Sequence, residues 1–154
     1  MLIREAREAD LPRLLELFFQ LSELGEQPEP TVRELTDGLR SAFQELKANR
    51  LSTCWVLEVE GRVEGALSLH LLPTLAHGGR PFAIIEDVVV EQKHRGSGYG
   101  RQLMTQAEKV AQAHGCYKIS LTSNRRRLEA HAFYERLGYT ATHRGFTKYL
   151  TAGL

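Results

Sequence analysis

Cysteine is nearly absent from this chain. Its two thiols, Cys54 and Cys116, each fall inside an apolar, strand-like run, which suits small buried side chains and leaves no disulfide framework to staple a fold. Both are expected to be reduced. Histidines stand at 70, 77, 94, 114, 131 and 143, but without an H-x-x-x-H pair or a Cys/His cluster, so no metal site is expected. No apolar run approaches the length of a membrane span, and the opening MLIREAREAD lacks the basic-then-apolar plan of a signal peptide. A formal net charge of +1 carries none of the basic surplus that a nucleic-acid binder shows. Repeats and low-complexity tracts are missing too. These absences leave a cytoplasmic protein with no nucleic-acid or membrane partner as the expectation. Its 154 residues, 42% hydrophobic and 25% charged, have the size and balance of one globular domain spanning 1–154.

What is present centres on residues 84–104, IIEDVVVEQKHRGSGYGRQLM. Ile84, Ile85, Val88, Val89 and Val90 are β-branched, too few for a buried helix, and read as a strand. Leu103, Met104, Ala107, Val110 and Ala111 recur at helical spacing, with Gly115 placed to stop the helix. Between them lies Arg95-Gly96-Ser97-Gly98-Tyr99-Gly100-Arg101. Its glycines let the backbone turn sharply toward a ligand, and the amides opening the next helix present the positive end of a dipole. Such a turn is either a phosphate cradle with Arg95 and Arg101 at its rim or a flexible loop with solvated arginines. Two familiar phosphate loops do not fit. Gly100 is followed by Arg101 and Gln102 rather than Lys and Ser or Thr, and the glycines alternate instead of standing first, third and sixth.

The remaining elements follow from period and punctuation. Leu2 to Ala6 is a short strand, and Asp10 caps a helix with Pro12 in its first turn and a stripe of Leu11, Leu14, Leu15 and Phe18. A break from Gly25 to Pro30 precedes a second helix, capped by Thr31, with Val32, Leu35, Leu39, Ala42, Phe43 and Leu46. Strands 53–60 and 63–72 form a hairpin at Gly61-Arg62, and the loop from Pro73 to Pro81 overhangs the site. Residues 116–123 form a strand parallel to 84–90 across a right-handed crossover. Asn124 caps a helix carrying Ala130, Phe133, Tyr134 and Leu137 that stops at Gly138, and 139–150 supplies one or two final strands.

Arg95, Gly98 and Gly100 behind an apolar strand resemble the R-x-x-G-x-G acyl-coenzyme A signature of the GNAT N-acetyltransferase superfamily. A second match is Asn124 after the penultimate core strand, with Phe133-Tyr134 and Gly138-Tyr139 as an F-Y-x-x-x-G-[FY] helix end. Together they cover roughly 84–150. The resemblance implies an α+β fold, a mixed and mostly antiparallel sheet flanked by helices, in which strands 84–90 and 116–122 run parallel and splay apart. It implies acetyl-coenzyme A as co-substrate, with no metal, held by Val88, Val90, Arg95, Gly96, Ser97, Gly98, Tyr99, Gly100, Arg101 and Asn124. In catalytic roles it implies the Val88 N–H, aimed at the thioester oxygen, and Tyr134 as the acid toward the departing thiolate. Tyr134 also fits plain packing beside Ala130. The partner is then a small-molecule primary amine, attacking directly, and a homodimer is left open. The rivals are acetylation of a peptide or protein amine and a non-catalytic acyl-coenzyme A sensor.

Glu86 and Asp87 are the only acids inside the apolar strand, and a buried, unpaired carboxylate there is costly. By alternation Glu86 shares a face with Ile84, Val88 and Val90, and Asp87 with Ile85 and Val89. Glu86 is chosen as base, directly or through water; the alternative is a carboxylate satisfied by backbone or an arginine. Arg125, Arg126 and Arg127 can meet nucleotide phosphates or an anionic acceptor, or form a solvated face, and His131 can line the cleft. The tail LTSNRRRLEAHAFY…GFTKYL resembles the aminoalkylphosphonate branch of the superfamily and IEDVVV…CYKI the glucosamine-6-phosphate branch. They name different acceptors, both bearing phosphorus.

Overall fold

A computed structural model describes residues 1–22, 36–148 and 150. Among the described residues nine strands and α-helices follow one another: β1 (Leu2–Glu5), α1 (Leu11–Ser22), α2 (Asp37–Ala48), β2 (Ser52–Val59), β3 (Arg62–Leu72), β4 (Phe82–Val90), α3 (Tyr99–Ala113), β5 (Ile119–Leu121) and α4 (Leu128–Arg136). The strands lie side by side in chain order. The first four are antiparallel neighbours, while β4 and β5 are parallel, as a helical crossover through α3 requires. The expected mixed, mostly antiparallel α+β fold is the one observed.

Period-2 alternation divides the core between the two faces of this sheet. Ala66, Val56 and Cys54 point to one side, where Leu11, Leu14 and Leu17 of α1 and Phe43 of α2 cover them. Leu67, Leu69 and Leu57 point to the other, against Leu103, Met104, Ala107 and Ala111 of α3. The α3 stripe is the expected one, with Val110 packed at its margin. In α1 the buried leucines are 11, 14 and 17; Leu15 is only half-buried.

Several local details differ from expectation. Asp10 does not serve the helix it was expected to cap. Its carboxylate turns back to accept from the Arg7 amide at 2.7 Å and from both terminal nitrogens of Arg4. The helix expected to start at Thr31 is capped instead by Thr36, whose hydroxyl accepts from the Leu39 amide; Gly25 to Pro30, Thr31, Val32 and Leu35 lie outside the described residues. The β2–β3 turn is Glu60-Gly61, both at positive φ (50° and 80°), the pair of left-handed residues that a two-residue hairpin favours. The loop 73–81 enters the start of β4 and therefore sits at the opposite end of the sheet from the glycine-rich turn, where it overhangs nothing at the site. No strand forms among the described residues after Gly138, and β5 is three residues long because pairing runs only from Ala83↔Ile119 to Ile85↔Leu121.

One contact fastens the last helix to the third. A Cβ on Gly100 would lie 3.1 Å from Cζ of Phe133, so the missing side chain is what lets the α4 ring seat against the first turn of α3. Gly100→Val is expected to lower unfolding stability by about 1–3 kcal/mol through overpacking. Phe133→Leu in that background should recover part of the loss in a urea-denaturation double-mutant cycle. Additive effects would dismiss the contact.

Arg4 ties Asp10 (2.7 and 2.9 Å) and Glu58 (2.8 Å) around the start of the sheet. The Arg4 guanidinium, with the Arg7 amide, holds the Asp10 carboxyl below its ordinary range against the opposing effect of burial. A depressed folded pKa stabilises above the unfolded value of about 4 and stops doing so as pH falls through the folded one. Asp10→Asn should therefore be destabilised at neutral pH, by about 1.5–3 kcal/mol for a hydrogen-bonded charge, with the gap to wild type closing below pH ~4. Denaturation curves across pH 3 to 7 check this; a gap independent of pH refutes it.

Candidate active site

The site is built on an irregularity in β4. Ser68 pairs with Glu86 and Ala66 with Val89, so Leu67 alone opposes two residues, Asp87 and Val88. This is a β-bulge, and it is formed by Asp87 adopting φ 55°, a left-handed conformation that Asp tolerates better than most side chains. The Ser68 hydroxyl donates to the Asp87 carboxylate at 3.1 Å. The extra residue cancels the expected alternation. Ile85 packs on the α3 face and Val89, four residues on, on the α1 face, while Val88 joins Ile85. Glu86 and Asp87 are thus not divided between faces as expected. Glu86 lies half-buried in the row Cys54–Ser68–Glu86, and Asp87, bonded to Ser68 of that row, is exposed.

Just before the bulge, β4 and β5 part. Pairing ends at Ile85/Leu121 while β4 runs on to Val90, so among the described residues β4 has no ladder partner on that edge from Glu86 onward. The expected splay is present, beginning two residues later in sequence than the start given for the strand.

Beyond Val90 the chain makes one 3₁₀ turn, Gln92–His94, and enters the glycine-rich segment. Gly96 and Gly98 take φ 81° and 89°, and nothing lies within 4 Å of where their side chains would be. Gly100 is different: its φ is helical and its role is the Phe133 contact. The first i−4 bond of α3 is Gln102 N–H to Gly98, so the amides of Gly98, Tyr99, Gly100 and Arg101 are the helix's orphan donors. This open cradle of N–H groups at a positive helix end fits a pyrophosphate. Two loop side chains are already engaged. The Ser97 hydroxyl donates to His94 O at 2.5 Å, and Arg95 Nε reaches Val90 O at 3.4 Å. Arg101 is exposed, and Tyr99 stacks at 5.5 Å on His94.

Helix α4 presents Tyr134. Its ring packs in the α3-side cluster that includes Val88, between Phe133 (5.2 Å) and Tyr139 (6.2 Å). Burial raises its phenol above the ordinary value, with Arg127 acting to lower it and Glu86 to raise it. The phenol therefore keeps its proton at neutral pH. Tyr139 donates to Glu108 of α3 at 3.2 Å and so closes the ring stack.

Asn124 does not cap α4 as expected. Its side chain accepts from the Arg126 amide, and its carbonyl accepts from Arg127 N and from His131 Nε2, at 2.9 to 3.0 Å. It organises an Asx turn before the helix, whose cap position is Arg127. His131 is spent on that turn. Arg127 donates to Leu21 O at 2.6 Å, tying α4 to the end of α1, while Arg125 and Arg126 are exposed, with side chains outside the hydrogen-bond network of the described residues. Cys54 lies near Asp87, and burial together with that charge pushes its thiol up to about 12. It is a thiol at neutral pH, not a nucleophilic thiolate.

Residues that the sequence reading passed over also shape the site. Ser68 braces the bulge; Arg13, Gln20 and Glu64 grip the root of the loop at Glu91. The available signal was Glu64 within the apolar run of β3, a charge needing a partner.

A family model described as Acetyltransferase (GNAT) family matches residues 3–139. A glucosamine 6-phosphate N-acetyltransferase of Trypanosoma brucei brucei is 34% identical over 142 residues, 92% of this chain and 90% of that protein. An aminoalkylphosphonate N-acetyltransferase of Salmonella typhimurium is 39% identical over 90 residues, 58% of either chain. Among solved structures, a transcriptional regulator from Bacillus halodurans C-125 has a TM-score of 0.86 at 30% identity, over 97% of this chain and 99% of its own. The matched span takes in the bulged strand, the amide cradle and the Tyr134 helix alike, and on it the chain belongs to the acetyltransferase (GNAT) family and is an acyltransferase enzyme.

Proposed function

We propose that this enzyme moves an acetyl group from acetyl-coenzyme A to the primary amine of a small phosphorylated or phosphonylated molecule, by direct attack. The observation that supports this most is the gap where β4 leaves β5 at the Asp87 bulge, with the amide cradle at one end and Tyr134 on its wall. When bound, acetyl-coenzyme A supplies the thioester carbonyl that accepts the amine. The amides of Gly96 and of 98 to 101 hold pyrophosphate oxygens, and the backbone of Val88 and Val90 orients the pantetheine arm. The Val88 N–H supports the developing oxyanion. Glu86 takes the ammonium proton, directly or through water, and Tyr134 gives its hydroxyl proton to the departing sulfur. A phenol held protonated by burial suits a donor better than a base. The high pKa of Cys54 argues against an acyl-enzyme on that residue.

The acceptor class rests on two facts taken together. The two N-acetyltransferases named above differ in acceptor but share an anionic phosphorus group, and Arg125 and Arg126 are unengaged beside the Asx turn at Asn124. Thiol release measured against a panel of amines tests the whole reading. Release dependent on phosphorylated or phosphonylated amines is expected; release with peptide amines alone overturns the acceptor, and coenzyme A binding without release on any amine favours a sensor.

Arg125→Gln with Arg126→Gln should raise KM for the phosphorylated amine about tenfold or more, the value of one or two charge-assisted hydrogen bonds, and leave KM for acetyl-coenzyme A nearly unchanged. Equal rises would assign the arginines to the nucleotide. Tyr134→Phe keeps the ring stack and loses only the hydroxyl. Its kcat should fall roughly 10²-fold with little change in amine KM, when chemistry limits the rate. Wild-type kcat in the Phe variant would reduce Tyr134 to packing.

A further inference from the structure

Glu64 is the only charged side chain among the described residues that is fully buried, 4% exposed, and nothing in the chemistry above uses it. It stands on β3 directly beneath the root of the glycine-rich loop. Its carbonyl accepts from the Glu91 amide at 2.9 Å. Its carboxylate meets Nη2 of Arg13 at 3.1 Å, and the same nitrogen bonds the carboxylate of Glu91. Arg13 completes its fork with Nε on Val63 O at 2.9 Å and Nη1 on Glu16 at 2.6 Å. A second grip comes two turns further along the same face of α1. The Gln20 amide nitrogen is 3.2 Å from both Glu91 oxygens, while its carbonyl accepts from Gln92 N–H at 3.1 Å.

Two carboxylates at the base of an anion-binding loop work against it. Each must be neutralised locally, or it repels the ligand and pays its own desolvation. A loop with glycines at 96 and 98 also needs an external anchor, since its backbone has the most freedom to lose. We infer that Arg13, by joining Glu64 to Glu91, is a positioning residue for acyl-coenzyme A binding: it fixes the chain where β4 becomes the loop and screens both carboxylates from the pyrophosphate. The inference rests on the reading of 96 to 101 as the pyrophosphate cradle. Arg62 at 3.8 Å and Lys93 and His94 at 3.9 Å from the far oxygen of Glu64 are too distant to replace the hydrogen-bonded fork.

The test measures coenzyme A affinity by calorimetry, KM for acetyl-coenzyme A and for the amine, and thermal stability. Arg13→Met should weaken coenzyme A at least tenfold and raise donor KM in step, with amine KM within twofold. Arg13→Lys, charged but unforked, should fall between, and adding Glu91→Gln to Arg13→Met should recover part of the loss by removing an uncompensated charge. A merely structural role predicts a lower melting temperature with unchanged coenzyme A affinity, or equal rises in both KM values; either overturns the inference. Should Arg13→Met fail to fold, Gln20→Leu removes the second grip and leaves the ion pair intact; about threefold weaker coenzyme A binding is expected, and wild-type affinity overturns it. A wild-type protein that does not bind coenzyme A would overturn the cradle itself, whereas binding unaltered in every variant would overturn only the role of Arg13.

Discussion

The left-handed backbone of Asp87 is the constraint on which the site depends. A regular β4 would send Glu86 and Val88 to one face and Asp87 to the other. One extra residue changes that outcome. It turns Val88 toward the α3 side, where Tyr134 waits, and leaves Glu86 in the polar row with Ser68. A non-glycine residue at positive φ costs on the order of 1–2 kcal/mol, and the Ser68 hydroxyl is placed to offset it. Strain at such a point is common where a strand must re-aim a group.

Around that bulge the helices act as braces more than as lining. The N-terminal helix reaches the loop root through Arg13 and Gln20, and its Leu21 carbonyl accepts from Arg127 at the start of the fourth helix. The third helix contributes its orphan amides and, through the bare Cα of Gly100, a seat for Phe133. The glycine-rich turn and Tyr134 are thereby referred to the same two helices. Their separation is set by packing that has little freedom to relax.

What could be read in the sequence was whatever is written locally. Glycines at 61, 115 and 138 marked real turns and stops, each at positive φ, and the leucine and alanine period of α3 named its buried face. The R-x-x-G-x-G spacing fell on the turn that opens α3. Where the reading failed, the deciding interaction lay elsewhere in the chain. Alternation has no symbol for a bulge, so the faces of Ile85 and Val89 were misassigned. Asn124 looks the same before an Asx turn as before a helix, and the difference is made by His131 seven residues on. Loop 73–81 was misplaced by ignoring strand direction. Arg13 was invisible because its partner, Glu91, is 78 residues away.

The sheet order carries a consequence for how this protein is made. Strands β2, β3 and β4 are joined by short connections and can pair as they leave the ribosome, but β1 must wait about fifty residues for its partner, and β5 must wait for the whole of α3. Low-separation pairings form early and distant ones late. The meander is thus assembled before the cleft exists, and the parting of β4 from β5 arises only after α3 has emerged. A nascent chain stalled after α3 would already carry the orphan amides of that helix, with no Phe133 yet seated on Gly100.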